Sequence, residues 1–291
     1  MTKSGIQEMP TTWRCGRFLF DLSKRQRPIV MGILNATPDS FSDGGQFRTV
    51  QDALAQAELM IKSGVDLIDI GGESTRPGAE PVSLQEELDR VLPVIEGLKD
   101  CGVPLSIDTY KAETMRQSLK AGVDCVNDIW ALRQSGAVEA VLESPNCGIV
   151  LMHMQRDPLT MQFNPEYKDV VAEVMQFLKE RADLLITQGV EQSRIAIDPG
   201  FGFGKSLEHN LKMLADFQSF SELRYPVLAG MSRKSMIGKI TGKDTNERVA
   251  PSIAAAIMAA ERGAMIVRVH DVPETVDALK LWEAVNHWAG T

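Results

Sequence analysis

The stretch VPLSIDTYKAETMRQSLKAGVDCVN, residues 103–127, reads as strand, helix, strand. Val103–Asp108 and Val123–Asn127 are short runs rich in branched apolar residues, and the segment between them carries helical spacing. The unit recurs. Strands are expected at Ile29–Leu34, Val65–Ile70, Val103–Asp108, Val123–Asn127, Gly148–Met152, Arg194–Asp198, Pro226–Gly230 and Ala264–Arg268. Helical segments include Gln51–Lys62, apolar at Leu54, Ala57, Leu59, Met60 and Ile61, together with Leu84–Lys99 and Tyr167–Gln188. Their apolar residues return every three or four positions, as suits helices packed on a sheet. Strands apolar along their whole length are expected where both faces are covered.

Eight such units in roughly 250 residues predict an α/β fold, a single (β/α)8 TIM barrel. No proline- or glycine-rich linker and no charge block divides the chain. Residues 1–12 are expected to form a flexible N-terminal tail and residues 13–291 the catalytic barrel domain. Arg17–Leu22 is expected as a short hairpin at the barrel bottom. The small-residue helix Ser252–Ala260 suits close core packing or a subunit contact.

Composition narrows the function classes. The 291 residues are 44% hydrophobic and carry 31 basic against 39 acidic side chains, a net charge of −8. The apolar content excludes intrinsic disorder. The longest apolar run, Val249–Ala260, is broken by Pro251 and Ser252 and falls short of the roughly 18 residues a membrane span requires. The N-terminus lacks the apolar core of a signal peptide, so a cytoplasmic protein with no membrane partner is expected. The acidic balance argues against nucleic-acid binding. Cys15, Cys101, Cys125 and Cys147 form no CxxC pair and are read as free thiols.

The polar residues at or just beyond the strand ends carry the functional reading. They are Asn35, the Glu73–Arg76 segment, Asp108, Asn127, His153, Asp198, Ser232 with Lys234, and Arg268 with His270. Taken singly, Asp108 or Asp198 has an ordinary role as a helix cap. As a set they converge on the C-terminal rim, where barrels of this kind hold their active sites. Two carboxylates and an amide suit a planar heterocycle with amino and ring N–H donors. Lys234, Arg268 and His270 suit phosphate or a carbonyl oxygen. The expected ligand is a flat, nitrogen-rich ring attached to an anion.

Near-miss motifs exclude other chemistries. Pro199–Ser206, PGFGFGKS, has proline where a P-loop requires glycine, and its alternating glycines do not make GxGxxG. Gly230–Lys234, GMSRK, lacks the second glycine of a nucleophile elbow. His153, His209, His270 and His287 form no HExxH site, and His209 and His287 are read as surface or packing residues. Two loops, Asn35–Gly45 and Gly71–Gly78, are richer in polar residues than connectors need and suit closure over a substrate.

In order, GILNATPDSFSDGG (Gly32–Gly45), GGESTRPG (Gly71–Gly78), IDTY (Ile107–Tyr110), NDI (Asn127–Ile129), LMHMQ (Leu151–Gln155), DPGFGFGK (Asp198–Lys205), SRKS (Ser232–Ser235) and RVHDV (Arg268–Val272) resemble the motifs of the dihydropteroate synthase family. The resemblance spans about Gly32–Val272. It implies condensation of 6-hydroxymethyl-7,8-dihydropterin diphosphate with 4-aminobenzoate, giving 7,8-dihydropteroate and pyrophosphate in folate biosynthesis.

Residue by residue, the resemblance sets the pterin against Asp108, Asn127, Asp198, Gly230 and Lys234, with Ile129, Met152, Phe203 and Arg268 around its faces. Diphosphate lies near Asn35, Thr75, Arg268 and His270. Phe41, Arg76, Pro77, Phe203 and Ser235 frame 4-aminobenzoate. The catalytic set is Asp39, Asp43, Arg76, Asp108, Lys234, Arg268 and His270. Mg²⁺ is implied as cofactor with Asn35 as its protein ligand, and a homodimer as the assembly. Arg156, Ala36 and Trp130 depart locally from the family pattern, and Trp130 and Arg156 are expected to alter the rim. A methyltetrahydrofolate methyltransferase, which is another pterin-binding barrel, a Schiff-base aldolase using Lys234 and a catalytically silent pterin-binding or regulatory protein are the rival readings. Pyrophosphate release with dihydropteroate formation separates the first of these from a synthase, borohydride trapping supports the aldolase, and one assay with both substrates tests for silence.

Overall fold

The structure, a computed structural model, describes residues 10–37, 46–74, 80–155 and 165–289, without the side chains of residues 46–49 and 289. A hairpin of β1 (Thr12–Cys15) and β2 (Phe18–Asp21) precedes eight strands: β3 (Ile29–Asn35), β4 (Leu67–Gly71), β5 (Leu105–Asp108), β6 (Cys125–Asp128), β7 (Gly148–Met152), β8 (Ile195–Asp198), β9 (Leu228–Ala229) and β10 (Ile266–Val269). Between and after them run α1 (Gln46–Ser63), α2 (Leu84–Leu98), α3 (Ala112–Ala121), α4 (Ala137–Leu142), α5 (Val170–Thr187), α6 (Leu207–Ala215), α7 (Ser235–Thr241), α8 (Val249–Glu261) and α9 (Val272–Ala289). The eight strands are parallel in the order β8, β7, β6, β5, β4, β3, β10, β9. A parallel bridge from Ile197 to Val227, just before β9, closes the ring.

All eight expected strands are present, with shifted ends that have local causes. Val65 and Val123, read as strand starts, donate their N–H groups back to the preceding helices, to the Met60 and Ser118 carbonyls at 3.1 Å each. The ladder therefore begins two residues later. At β9 the strand shortens to Leu228–Ala229, because Pro226 has no N–H to give the ladder. The hairpin is longer than Arg17–Leu22: Thr12 pairs with Asp21 and Cys15 with Phe18, so β1 starts at the last residue of the expected tail.

Successive strand residues face opposite ways, and the inward files change character along the barrel. At the bottom, Met31, Leu67, Cys125, Val150, Ala196, Leu228 and Ile266 pack with Trp13 and Cys15 of the hairpin. Trp13 is fully buried there, its Nε1 donating to the Arg194 carbonyl at 3.2 Å. Two residues further up, the same files carry Asp69, Asn127, Met152, Asp198, Gly230 and Arg268. The outward files pack under the helices in the larger apolar core, to which α8 contributes buried Ala255, Ala256, Ala259 and Ala260. A dry plug thus supports a polar mouth.

Candidate active site

The mouth is organised around Arg268 of β10. Its Nε donates to Asp69 Oδ2 and its Nη2 to Asp108 Oδ2, both at 2.6 Å. Asn127 of β6 donates from Nδ2 to the same Asp69 oxygen at 3.0 Å. Burial pushes the Asp108 carboxyl up to about 7 against the pull of Arg268, and the Asp69 charge adds to the rise. Burial also disfavours charge on Arg268, but Asp69 and Asp108 outweigh it and raise its pKa. Asp108 Oδ1 is buried and has no hydrogen-bond partner among the described residues. When the carboxyl is ionised, this oxygen is an acceptor held ready for a donor.

Beside this network, the Pro199–Ser206 loop approaches from β8. Asp198 Oδ1 accepts from the Gly200 N–H at 2.7 Å, and Lys234 Nζ donates to the Phe201 carbonyl at 2.7 Å while lying 4.7 Å from the centre of the Phe203 ring. Burial lowers the Lys234 pKa to about 8, against the favourable charge of Asp198. Burial raises Asp198 in turn, against Lys234. Phe203 packs with Ile129, Met152 and Met154 in a separate apolar cluster at the mouth, joined by Tyr110 and Trp130. One wall of the mouth is therefore apolar and aromatic, the other ionic.

His153 departs from the expected convergence. Its Nδ1 lies 2.9 Å from the buried Nζ of Lys205, and its ring packs edge-on against Phe177 at 5.0 Å. Burial and then the Lys205 charge lower its pKa to about 2, so it stays neutral. Lys205 Nζ also donates to the Gly200 and Phe203 carbonyls at 2.9 and 3.0 Å, holding the loop's shape from below. His209 and His287 fall as expected: His209 completes a capping box with Ser206, and His287 is exposed on α9.

His270 reaches the rim, with Nδ1 3.1 Å from Ser232 Oγ. Ser235 opens α7 directly after Lys234. Gly71 leaves space between strands, since a Cβ there would stand 3.8 Å from Asp108 Cβ and 3.9 Å from Asn35 Oδ1. Asn35 brings one hard oxygen, and no cluster of three His, Cys, Asp or Glu gathers among the described residues. A lone amide oxygen suits a magnesium ion that takes its remaining oxygens from substrate phosphates and water. Asp39, Phe41, Asp43, Thr75, Arg76, Pro77 and Arg156 lie outside the described residues. Glu73, which precedes four of them, accepts from Tyr110 Oη at 2.8 Å and pairs with Lys111.

Near the mouth, the sequence reading gave no role to buried Asp69, Lys205 or Asp128. Asp128 accepts from the Trp130 and Leu132 N–H groups at 2.8 and 2.7 Å, holding Ala131 and Leu132 at φ +52° and +57°. This left-handed pair is strained for residues other than glycine and turns Ile129 and Trp130 into the mouth cluster. Trp130 meets the Arg133 guanidinium 4.9 Å from its ring centre.

Barrel and rim together define the class: a (β/α)8-barrel enzyme whose mouth is lined by carboxylates, an amide and cationic side chains. The family model described as Pterin binding enzyme matches residues 31–270. A dihydropteroate synthase of Neisseria meningitidis serogroup C is 50% identical over 278 residues, covering 94% of this chain and 97% of its own. The Escherichia coli K12 dihydropteroate synthase is 49% identical over 258 residues, covering 88% and 91%. Among solved structures, Burkholderia cenocepacia dihydropteroate synthase complexed with 7,8-dihydropteroate has a TM-score of 0.88 at 52% identity, covering 97% and 99%. The Xanthomonas albilineans enzyme with 4-aminobenzoic acid has a TM-score of 0.89 at 50% identity, covering 96% and 99%. The chain belongs to the pterin binding enzyme family and, within it, to the dihydropteroate synthases, transferases of folate biosynthesis.

Proposed function

We propose that this mouth carries out the dihydropteroate synthase reaction by an SN1-like displacement. The C–O bond of 6-hydroxymethyl-7,8-dihydropterin diphosphate breaks first, its electron pair leaving with pyrophosphate. The 4-aminobenzoate nitrogen then captures the pterin-methyl cation and gives up a proton. The pterin lies against Asp108, Asn127, Asp198, Gly230 and Lys234, between Ile129, Met152 and Phe203. Asp108, when ionised, stabilises positive charge spreading into the ring, while Arg268 and His270 stabilise the leaving group, with Thr75 beside it. Phe41, Arg76, Pro77, Phe203 and Ser235 frame 4-aminobenzoate, and Asp39 and Asp43 complete the catalytic set. Magnesium supplies positive charge to the diphosphate oxygens when bound, with Asn35 as its protein ligand.

The observation that carries this reading is the unpartnered, buried Asp108 Oδ1 beside an arginine that donates to two carboxylates. Such a site favours a cationic or donor-rich ring. It is supported by the solved relatives described as holding 7,8-dihydropteroate and 4-aminobenzoic acid. A homodimer through α9 fits the exposed Leu281 and Val285, one turn apart on one helix face. A cytoplasmic location fits the unpaired, buried thiols of Cys15, Cys125 and Cys147. The test supplies both substrates with magnesium: pyrophosphate and dihydropteroate form in equal amounts, and their absence from a folded sample refutes the reading.

A further inference from the structure

We propose that Asp69 is a positioning residue that fixes which end of the Asn127 amide meets the pterin, and so sets the site to read hydrogen-bond donors. The inference rests on the assignment of Asn127 to pterin binding.

Asp69 sits in the middle of β4, fully buried, two residues below the strand end. An ionised carboxylate only accepts hydrogen bonds, whereas a side-chain amide offers an acceptor at one end and donors at the other. Asp69 Oδ2 already takes Arg268 Nε at 2.6 Å, and Asn127 presents Nδ2 to it at 3.0 Å. Reversing the amide would set two oxygens against each other in a dry interior, which is costly. Asn127 Oδ1 is therefore the end left for the mouth, beside Asp108, its register partner on β5. With Asp108 and Asp198, three neighbouring groups then present acceptors to one ring edge. A ring edge bearing amino and ring N–H groups matches them, and one bearing lone pairs is repelled. Because Asp69 also grips Arg268, one carboxylate ties the ring-reading amide to the cation assigned to the leaving group.

The test exchanges the two side chains. Asp69→Asn frees the Asn127 amide to turn, and Asn127→Asp faces two carboxylates across the same contact. In the double variant the new amide, turning its nitrogen to the contact that Asp69 Oδ2 now makes, donates to the new carboxylate and gives up the Arg268 Nε bond, and the new carboxylate again turns an acceptor to the ring. Each single variant is expected to raise KM for the pterin diphosphate roughly tenfold or more, the scale of one mispaired buried hydrogen bond. KM for 4-aminobenzoate is expected to change less than about twofold, and the double variant to recover most of the pterin loss; that recovery is not the outcome of a merely structural defect. Circular dichroism and thermal unfolding verify folding, and if Asp69→Asn fails to fold, Asn127→Asp against the double variant decides. A pterin KM unchanged in folded Asp69→Asn, or a double variant no better than Asn127→Asp, overturns the inference. Asn127→Ala separates the two levels: an unchanged pterin KM there refutes the binding assignment itself, while a raised one with unaffected Asp69→Asn refutes only the role of Asp69.

Discussion

Gly200→Ala should damage the pterin site from within the loop, and its size follows from the geometry. Gly200 has φ +72°, and a Cβ there would stand 2.0 Å from the His153 carbonyl oxygen, a contact real Cβ atoms essentially never make. The loop must move, separating the Gly200 N–H from Asp198 Oδ1, now 2.7 Å away. Left-handed backbone costs an L-residue about 1–2 kcal/mol, and a hydrogen bond to a charged group contributes about 1.5–3 kcal/mol, together about 2.5–5 kcal/mol. Gly202→Ala is the control: φ is +80°, but the nearest atom is Lys234 Cδ at 3.4 Å, so only the backbone term applies. At about 2–4 °C per kcal/mol the two variants should differ by about 6 °C in Tm by calorimetry. Displacing the loop also moves the Phe201 carbonyl from Lys234 Nζ, so the pterin diphosphate KM should rise about tenfold in Gly200→Ala alone. Equal Tm values together with an unchanged pterin KM would refute the reasoning.

Three other perturbations probe separate parts of the molecule. Lys234, lowered to about 8 by burial, must be charged to act, so kcat/KM should fall as pH rises through about 8 with no loss from this group below it. Lys234→Arg keeps its charge and should abolish that alkaline limb while lowering the plateau; a wild-type profile flat to about pH 9.5 would count against Lys234. Asp108→Asn should reduce kcat by roughly 2 kcal/mol or more, the cost of one electrostatic contact to developing charge; unchanged turnover in a folded variant removes Asp108 from that role. Trp13→Ala should lower stability by about 3–5 kcal/mol by denaturant unfolding while leaving both KM values unchanged, because the plug lies at the opposite end from the mouth.

Much of the barrel was legible because both faces of its strands are covered, which leaves short apolar runs that stand out between amphipathic helices. The strand ends were less legible, since Val65 and Val123 resemble strand residues by composition and yet give their N–H groups to helix carbonyls. The hairpin start at Thr12 was hidden for a related reason. Trp13 and Cys15 are buried by the barrel bottom, a tertiary contact with no local periodicity to announce it.

The site divides along the same line. Asp108, Asn127, Asp198, Lys234, Arg268 and His270 could be read to the rim because a polar residue at or just beyond the end of an apolar run has few uses other than facing it, and the structure brings them to the mouth. Asp69 fails that test: it lies between Ile68 and Ile70 and reads as the middle of a buried strand. Its signal is period rather than position, for Leu67, Asp69 and Gly71 share one face, and a carboxylate two residues above an apolar plug must lie inside the barrel and find partners there. Lys205 was hidden differently, inside a glycine motif whose failure as a phosphate loop drew attention away from the lysine. Fully enclosed, it serves carbonyls and an imidazole of its own loop. His153 was misjudged by the end-of-strand rule for the converse reason: a residue just past a strand can turn aside from the barrel axis, and this one turns toward Lys205 and Phe177. Reading inward files two residues deep, not only their ends, would therefore have recovered Asp69 from sequence, whereas Lys205 and His153 required the loop's path in three dimensions.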